Sequence, residues 1–130
     1  MSCSDSAPQQ VRLALQAETD DCKRMSDERL VISTAGSKEE ASRIATALVE
    51  AQLVACVNII GPIASVYRWQ GKVESAQEFL LLIKTMRSRS EVVMARIREL
   101  HSYDLPEAIE VSIDGGSAEY LKWIAESVLA

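Results

Sequence analysis

Residues 55–85 read ACVNIIGPIASVYRW, then QG, then KVESAQEFLLLIKT. Two apolar arms, each longer than an ordinary strand, face one another across the tight connection Gln70-Gly71, which is the pattern of a very long β-hairpin. An arm of about fifteen residues extends about 50 Å, against about 17–20 Å for a common strand, so part of it projects beyond the core of its own chain. An exposed apolar edge of that length is an aggregation hazard unless another subunit covers it. The hairpin therefore predicts assembly before anything in the sequence predicts chemistry.

Outward from the hairpin, the elements follow from periodicity. On its N-terminal side, Arg29-Leu30-Val31-Ile32-Ser33-Thr34 has the β-branched content of an inner strand. Ser37 and, three residues on, Glu40 make a capping box, after which Ala41, Ile44, Ala45, Leu48 and Val49 recur at helical spacing. On the C-terminal side, Ser88 or Ser90 can cap a second helix with Val93, Ile97 and Leu100 inward and Arg96, Arg98 and Glu99 outward. Pro106 ends that region, and Ala108-Ile109-Glu110-Val111-Ser112-Ile113 alternates as a half-buried strand does. After the turn Asp114-Gly115-Gly116, a helix over residues 117–128 carries Tyr120, Leu121, Ile124 and Val128 on one side. The order βαββαβ plus a C-terminal helix is that of an α+β, ferredoxin-like sandwich, an antiparallel sheet with helices on one face.

With 130 residues, 48% of them hydrophobic, the chain has material for one core. Residues 1–27 hold no strong apolar run and read as a flexible tail, with at most a turn or two of helix over residues 11–17; residues 28–130 make the domain. Met25-Ser26-Asp27 would also serve as a translation start. A net charge of -5 removes any long-range pull on nucleic acid or anionic membranes. The basic residues Lys84, Arg87, Arg89, Arg96 and Arg98 read as solvated helix flanks. Cys3, Cys22 and Cys56, odd in number and without a CxxC pair, fit neither a disulfide framework nor a zinc cage and point to a reducing compartment. No stretch approaches the roughly twenty apolar residues of a membrane span. The expectation is a soluble, cytoplasmic protein with no membrane or nucleic-acid partner.

The densest polar cluster is His101-Ser102-Tyr103-Asp104-Leu105-Pro106-Glu107, at a helix-to-strand junction. His101, the one histidine, can offer an imidazole nitrogen to a metal with Glu107 or Asp104 as carboxylate partner, or it can simply meet the carbonyls that end its helix. Cys56 sits in an apolar strand, where a free thiol behaves as a small hydrophobe, and the neighbouring sequence supplies no cation to activate it. Tyr67 and Trp69 lie at the hairpin tip, Tyr120 and Trp123 in the last helix, and such residues favour subunit contacts. Glu78 and Lys84, at an even separation on one strand, share a face and can line a polar pocket. No dinucleotide, Walker, zinc-protease or nucleophile-elbow motif is present.

Five blocks then match, in order, one known family: Leu53-Val54-Ala55-Cys56-Val57-Asn58-Ile59, Ser65-Val66-Tyr67-Arg68-Trp69-Gln70-Gly71-Lys72, Leu82-Ile83-Lys84-Thr85, the His101 to Glu107 segment, and Tyr120-Leu121-Lys122-Trp123-Ile124. Over residues 30–128 the chain resembles the CutA family of divalent-cation tolerance proteins. That resemblance implies a homotrimer of ferredoxin-like subunits packed by their hairpins, similar in architecture to PII signal proteins, with no catalysed reaction. It also implies a link to copper and other divalent cations. In the family's pattern for copper, a cysteine in the first strand and a histidine pair supply ligands; here Ser33 and Leu100 stand at two of those positions and His101 remains.

Two functions follow from these residues. One is a non-enzymatic homotrimer of metal-ion tolerance that binds a divalent cation, such as copper, weakly near an intersubunit cleft through His101 and Glu107, with no cofactor required. The other is a PII-like small-molecule sensor or regulatory scaffold whose intersubunit cleft is lined by Tyr67, Trp69, Glu78, Lys84, Tyr103 and Trp123. A hydrolase with His101 as general base and Glu107 orienting it lacks a nucleophile.

Overall fold

The computed structural model describes residues 26–129. Cys3, Cys22, the helical turns over residues 11–17, the start at Met25 and most of the tail lie outside them. Within them, strand β1 (Glu28–Ala35), helix α1 (Lys38–Glu50), strands β2 (Cys56–Trp69) and β3 (Lys72–Met86), helix α2 (Ser90–Leu100), strand β4 (Ile109–Ser112) and helix α3 (Ala118–Ser127) follow in order. The sheet is antiparallel with strand order β2-β3-β1-β4, the ferredoxin-like α+β arrangement that the periodicity predicts.

Helices α1 and α2 cover one face of this sheet. Val31, Ala35, Leu81 and Ile83 pack there against Ala41, Ile44, Leu48, Val93 and Ile97, all buried. Val49, expected on the inner side of α1, is instead 41% exposed, because it lies past the edge of the stripe set by Ala41, Ile44 and Leu48. Ser37 Oγ accepts the Glu40 N–H at 3.1 Å and caps α1. At the other end, Leu53 N–H donates to Leu48 O and Gln52 N–H to Val49 O, a complete Schellman motif with Gln52 at φ 57° where glycine is usual. Helix α2 begins without a serine cap. Its N-cap is Arg89, and the Ser90 hydroxyl turns back to donate to Arg87 O at 3.1 Å.

Helix α3 lies on the opposite face. Ile124 and Val128 bury against Ala55 and Met86 as a second, smaller core, and a side chain such as Ile124 contributes about 1.5–3 kcal/mol by leaving water. The rest of that face is open within one chain. By register Leu30 stands beside Val111 and Ile32 beside Ile109, but β4, expected to be half-buried, is exposed at all four residues within one chain, Ile109 at 51%.

The hairpin closes through Gln70 and Gly71, both at positive φ, as a two-residue primed turn requires. Strand β1 reaches only as far as Phe79, its partner at Ala35, so Lys72 to Glu78 pair with β2 alone. Those seven residues extend about 23 Å past the neighbouring strand. Midway along β2 a bulge sets Gly61 and the cis-linked Pro62 against Phe79. Gly61 is needed there, because a Cβ would sit 2.6 Å from Phe79 Cδ2. The bulge also reverses which β2 side chains share a face with β3: Cys56 and Asn58 stand beside Lys84 and Leu82, but beyond it Ser65 and Tyr67 stand beside Ala76 and Glu74.

Candidate functional site

The segment between α2 and β4 is held by a short chain of polar contacts. The His101 side chain is fully buried. Its Nε2–H donates to Thr34 O at 2.6 Å, and its Nδ1 accepts the Tyr103 N–H at 3.0 Å, which fixes the Nε2–H tautomer. The Glu40 carboxylate, besides its backbone contact at Gly36, accepts from Ser102 N at 2.7 Å and Ser102 Oγ at 3.1 Å. Burial works to raise the Glu40 pKa, but the two Ser102 hydrogen bonds, together with His101 and the Gly36 backbone, hold the carboxyl below its ordinary value.

Tyr103, its ring centroid 4.5 Å from that of His101, then donates its hydroxyl to Glu78 Oε2 at 3.0 Å. Burial first, and the Glu78 carboxylate second, push the Tyr103 hydroxyl up to about 12. Around this contact opens a cleft of about 650 Å³ lined by Thr34, Ser65, Val66, Tyr67, Trp69, Glu78, Tyr103, Asp104, Leu105 and Glu107. The bulge brings the hairpin residues here, since it turns Ser65, Tyr67 and Trp69 to the Glu78 face. Among the described residues three carboxylates line the cleft, and no lysine, arginine or histidine does. Burial, followed by the Glu78 charge, raises the Glu107 carboxyl above its ordinary value.

Of the residues singled out from sequence, Tyr67, Trp69, Glu78, Tyr103 and Glu107 meet in this cleft. His101 stands behind it as a support, with both ring nitrogens engaged. Lys84 and Trp123 belong to a second cluster. Lys84 Nζ donates to Asn58 Oδ1 at 2.7 Å and to Tyr120 Oη at 3.3 Å, and the Tyr120 and Trp123 rings meet in a tilted contact with centroids 5.3 Å apart. Burial disfavours the Lys84 charge, but the Tyr120 hydroxyl and the facing Cys56 raise its pKa above the usual lysine value. Cys56, the cross-strand partner of Lys84, thus has the cation that its own neighbourhood in sequence lacks.

A copper ion does not fit His101 as it stands, because no ring nitrogen is free. Among the described residues no group of three or more His, Cys, Asp and Glu side chains is placed to hold a metal ion. Ser33, which occupies the position of the family's cysteine, is buried next to Thr34 in β1, and among the described residues its hydroxyl has no hydrogen-bond partner. No helix among the described residues is long and apolar enough to cross a membrane.

Residues 29–127 match the family model of the CutA1 divalent ion tolerance protein. The chain is 45% identical over 100 residues to the divalent-cation tolerance protein CutA of Thermus thermophilus, an overlap of 77% of this chain and 97% of that one. It is 43% identical over 98 residues to the chloroplastic protein CutA of Arabidopsis thaliana, covering 75% of this chain and 54% of the plant protein. The crystal structure of CutA from Xylella fastidiosa superposes with a TM-score of 0.78 at 43% identity, over 79% of this chain and 99% of that one. The matched span takes in the sheet, the polar loop and the closing helix alike, and the chain belongs to the CutA1 divalent ion tolerance protein family.

Proposed function

We propose that the protein is a non-enzymatic, cytoplasmic homotrimer that serves divalent-cation tolerance by holding a cation weakly in the acidic cleft, with copper as one such ion. The observation that carries this is the composition of the cleft wall: Glu78, Asp104 and Glu107 line it and, among the described residues, no cationic side chain does. Glu107 and Glu78 supply the oxygens, water fills the remaining coordination positions, and His101 fixes the loop instead of binding the ion. Weak binding follows from the small number of ligands within one chain. The absence of a free nitrogen on His101 also favours a non-catalytic role, since a general base needs one.

Trimerisation accounts for the overhanging hairpin and for the open sheet face with Ile109 and Val111, both of which a neighbouring subunit would cover. Native mass spectrometry with stepwise Cu(II) tests assembly and uptake together. A trimer that takes up copper, with uptake reduced in Glu107→Gln, is the expected result. A metal-free trimer overturns the cation reading, and a monomer overturns the assembly.

A further inference from the structure

His101 stands at the C-cap of α2, and its side chain is wholly buried within its own chain, so its contacts do not turn on what a neighbouring subunit covers. The neutral ring uses its two nitrogens in opposite senses: Nε2–H donates to Thr34 O, and Nδ1 accepts from Tyr103 N. A protonated imidazole has two donors and no acceptor. The Tyr103 N–H would then point at another N–H, and that bond cannot persist. Glu40 Oε2 lies 3.7 Å from Nδ1 as an alternative partner. A carboxylate offers about four acceptor positions. Ser102 N, Ser102 Oγ and the Gly36 backbone occupy three of those on Glu40, which leaves room for the ring. An approach of about 1 Å brings the pair to the distance of a charge-assisted hydrogen bond.

The groups around the ring suit a positive charge there. The C-terminal end of α2 favours a cation at its cap. From α1 the ring meets Glu40, whose other ionic contact, Arg43 at 3.6 Å, is more than half exposed and correspondingly weak. Strand β1 presents the Thr34 carbonyl, which accepts from Nε2–H in either protonation state. From β3, Glu78 stands behind Tyr103 and accepts its hydroxyl, and Asp104 and Glu107 of the loop itself line the cleft beyond. We infer that His101 is a proton-operated latch on residues 102–107: one proton taken up at Nδ1 exchanges the bond from Tyr103 N–H for a bond from Nδ1–H to Glu40, and frees the loop that carries Tyr103, Asp104 and Glu107. Ser102 stays held by Glu40 in both states, so the loop pivots there. The latch does not require the cleft to bind a cation.

The chain has one histidine, so imidazole NMR spectra of the full-length, metal-free protein follow its protonation without ambiguity. On titration from about pH 7.5 to about pH 4.5, the ring should pass from the Nε2–H tautomer to the doubly protonated form. The Tyr103 amide should shift with the same midpoint and, corrected for pH, exchange its hydrogen about fivefold faster or more, the loss of one hydrogen bond. The amides of Val31 and Ile83, in the core of the sheet, should stay protected. Glu40→Gln keeps an acceptor for Ser102 but not the charge, and should move the loop transition to lower pH by about one unit or more. A ring that stays neutral throughout overturns the inference, as does a ring that charges while the Tyr103 amide stays protected. Both outcomes are read on the unaltered protein, whether or not the variant folds. Loss of protection at Val31 and Ile83 together with Tyr103 means unfolding instead of a latch and overturns it too. A transition unmoved in folded Glu40→Gln overturns the exchange of partners.

Discussion

Replacing His101 by alanine separates a supporting imidazole from a metal ligand. The ring makes two hydrogen bonds, from Nε2 to Thr34 O and from Tyr103 N to Nδ1, and its side chain is wholly buried. Losing a hydrogen bond costs about 1 kcal/mol, and a buried group left without a partner costs about 1–3 kcal/mol. Thr34 O lies inside, whereas Tyr103 N is only partly buried and recovers water. The sum is about 2–4 kcal/mol, or about 30- to 700-fold in the folding equilibrium. Guanidinium unfolding at one fixed protein concentration measures it, because assembly into the proposed trimer would contribute to stability. A supporting role predicts the full deficit in chelator-treated buffer and the same deficit in copper. A ligand role predicts a small deficit without metal that widens by about 2.7 kcal/mol when copper is at a hundred times its dissociation constant. A metal-free deficit below about 1 kcal/mol would refute the reasoning, since it would mean that neither hydrogen bond matters.

Gln52→Gly should stabilise the protein by about 0.5–1 kcal/mol, because glycine tolerates the left-handed backbone at φ 57° that closes α1; an unchanged denaturation midpoint would reject the strain argument. Gly61→Ala should cost about 1–3 kcal/mol, since the new methyl would meet Phe79 at 2.6 Å and the Glu78 carbonyl at 3.1 Å, and melting curves read this directly. Glu107→Gln should raise Tm at neutral pH. The folded-state carboxyl is shifted upward by burial and by Glu78, so the folded chain holds its proton over a range where the unfolded chain has lost it, and stability falls as pH rises through that range. The gap between variant and parent should close on acidification below the ordinary glutamate value, and a variant less stable at neutral pH would contradict the sign.

Most of the fold was legible because it is written in local periodicity. The Ser37 cap, the α1 stripe and the Gln70-Gly71 turn each occupy a few consecutive residues. The failures have local reasons too. Val49 is apolar but one position past the buried arc, and Ser90 uses its hydroxyl on a carbonyl instead of on the helix start. The site was harder to read because alternation gives a face and not a distance. Glu78 and Lys84 do share a face of β3, yet six residues separate them by about 20 Å, so one meets Tyr103 and the other Tyr120. The partners of His101 and Cys56 are likewise remote in sequence: Thr34 lies 67 residues from the imidazole, and Lys84 reaches Cys56 only through strand pairing.

The bulge at Gly61-Pro62 joins these two levels. Without the extra residue, Ser65, Tyr67 and Trp69 would stand on the other side of the hairpin from Glu78, and the cleft would lose its aromatic wall. The same three residues lie on the part of the arm that β1 does not accompany. The proposed cation binding and the proposed docking of the arm would therefore draw on one set of side chains. If a cation held by Glu107 and Glu78 orders that arm in its docked position, it stabilises the assembly, and by linkage the assembled form binds the cation more tightly than a dissociated chain does. A variant that weakens docking without touching the carboxylates, such as Trp69→Asp, should then lose assembly and cation affinity together, whereas independent loss of one would show that the arm and the cleft act separately.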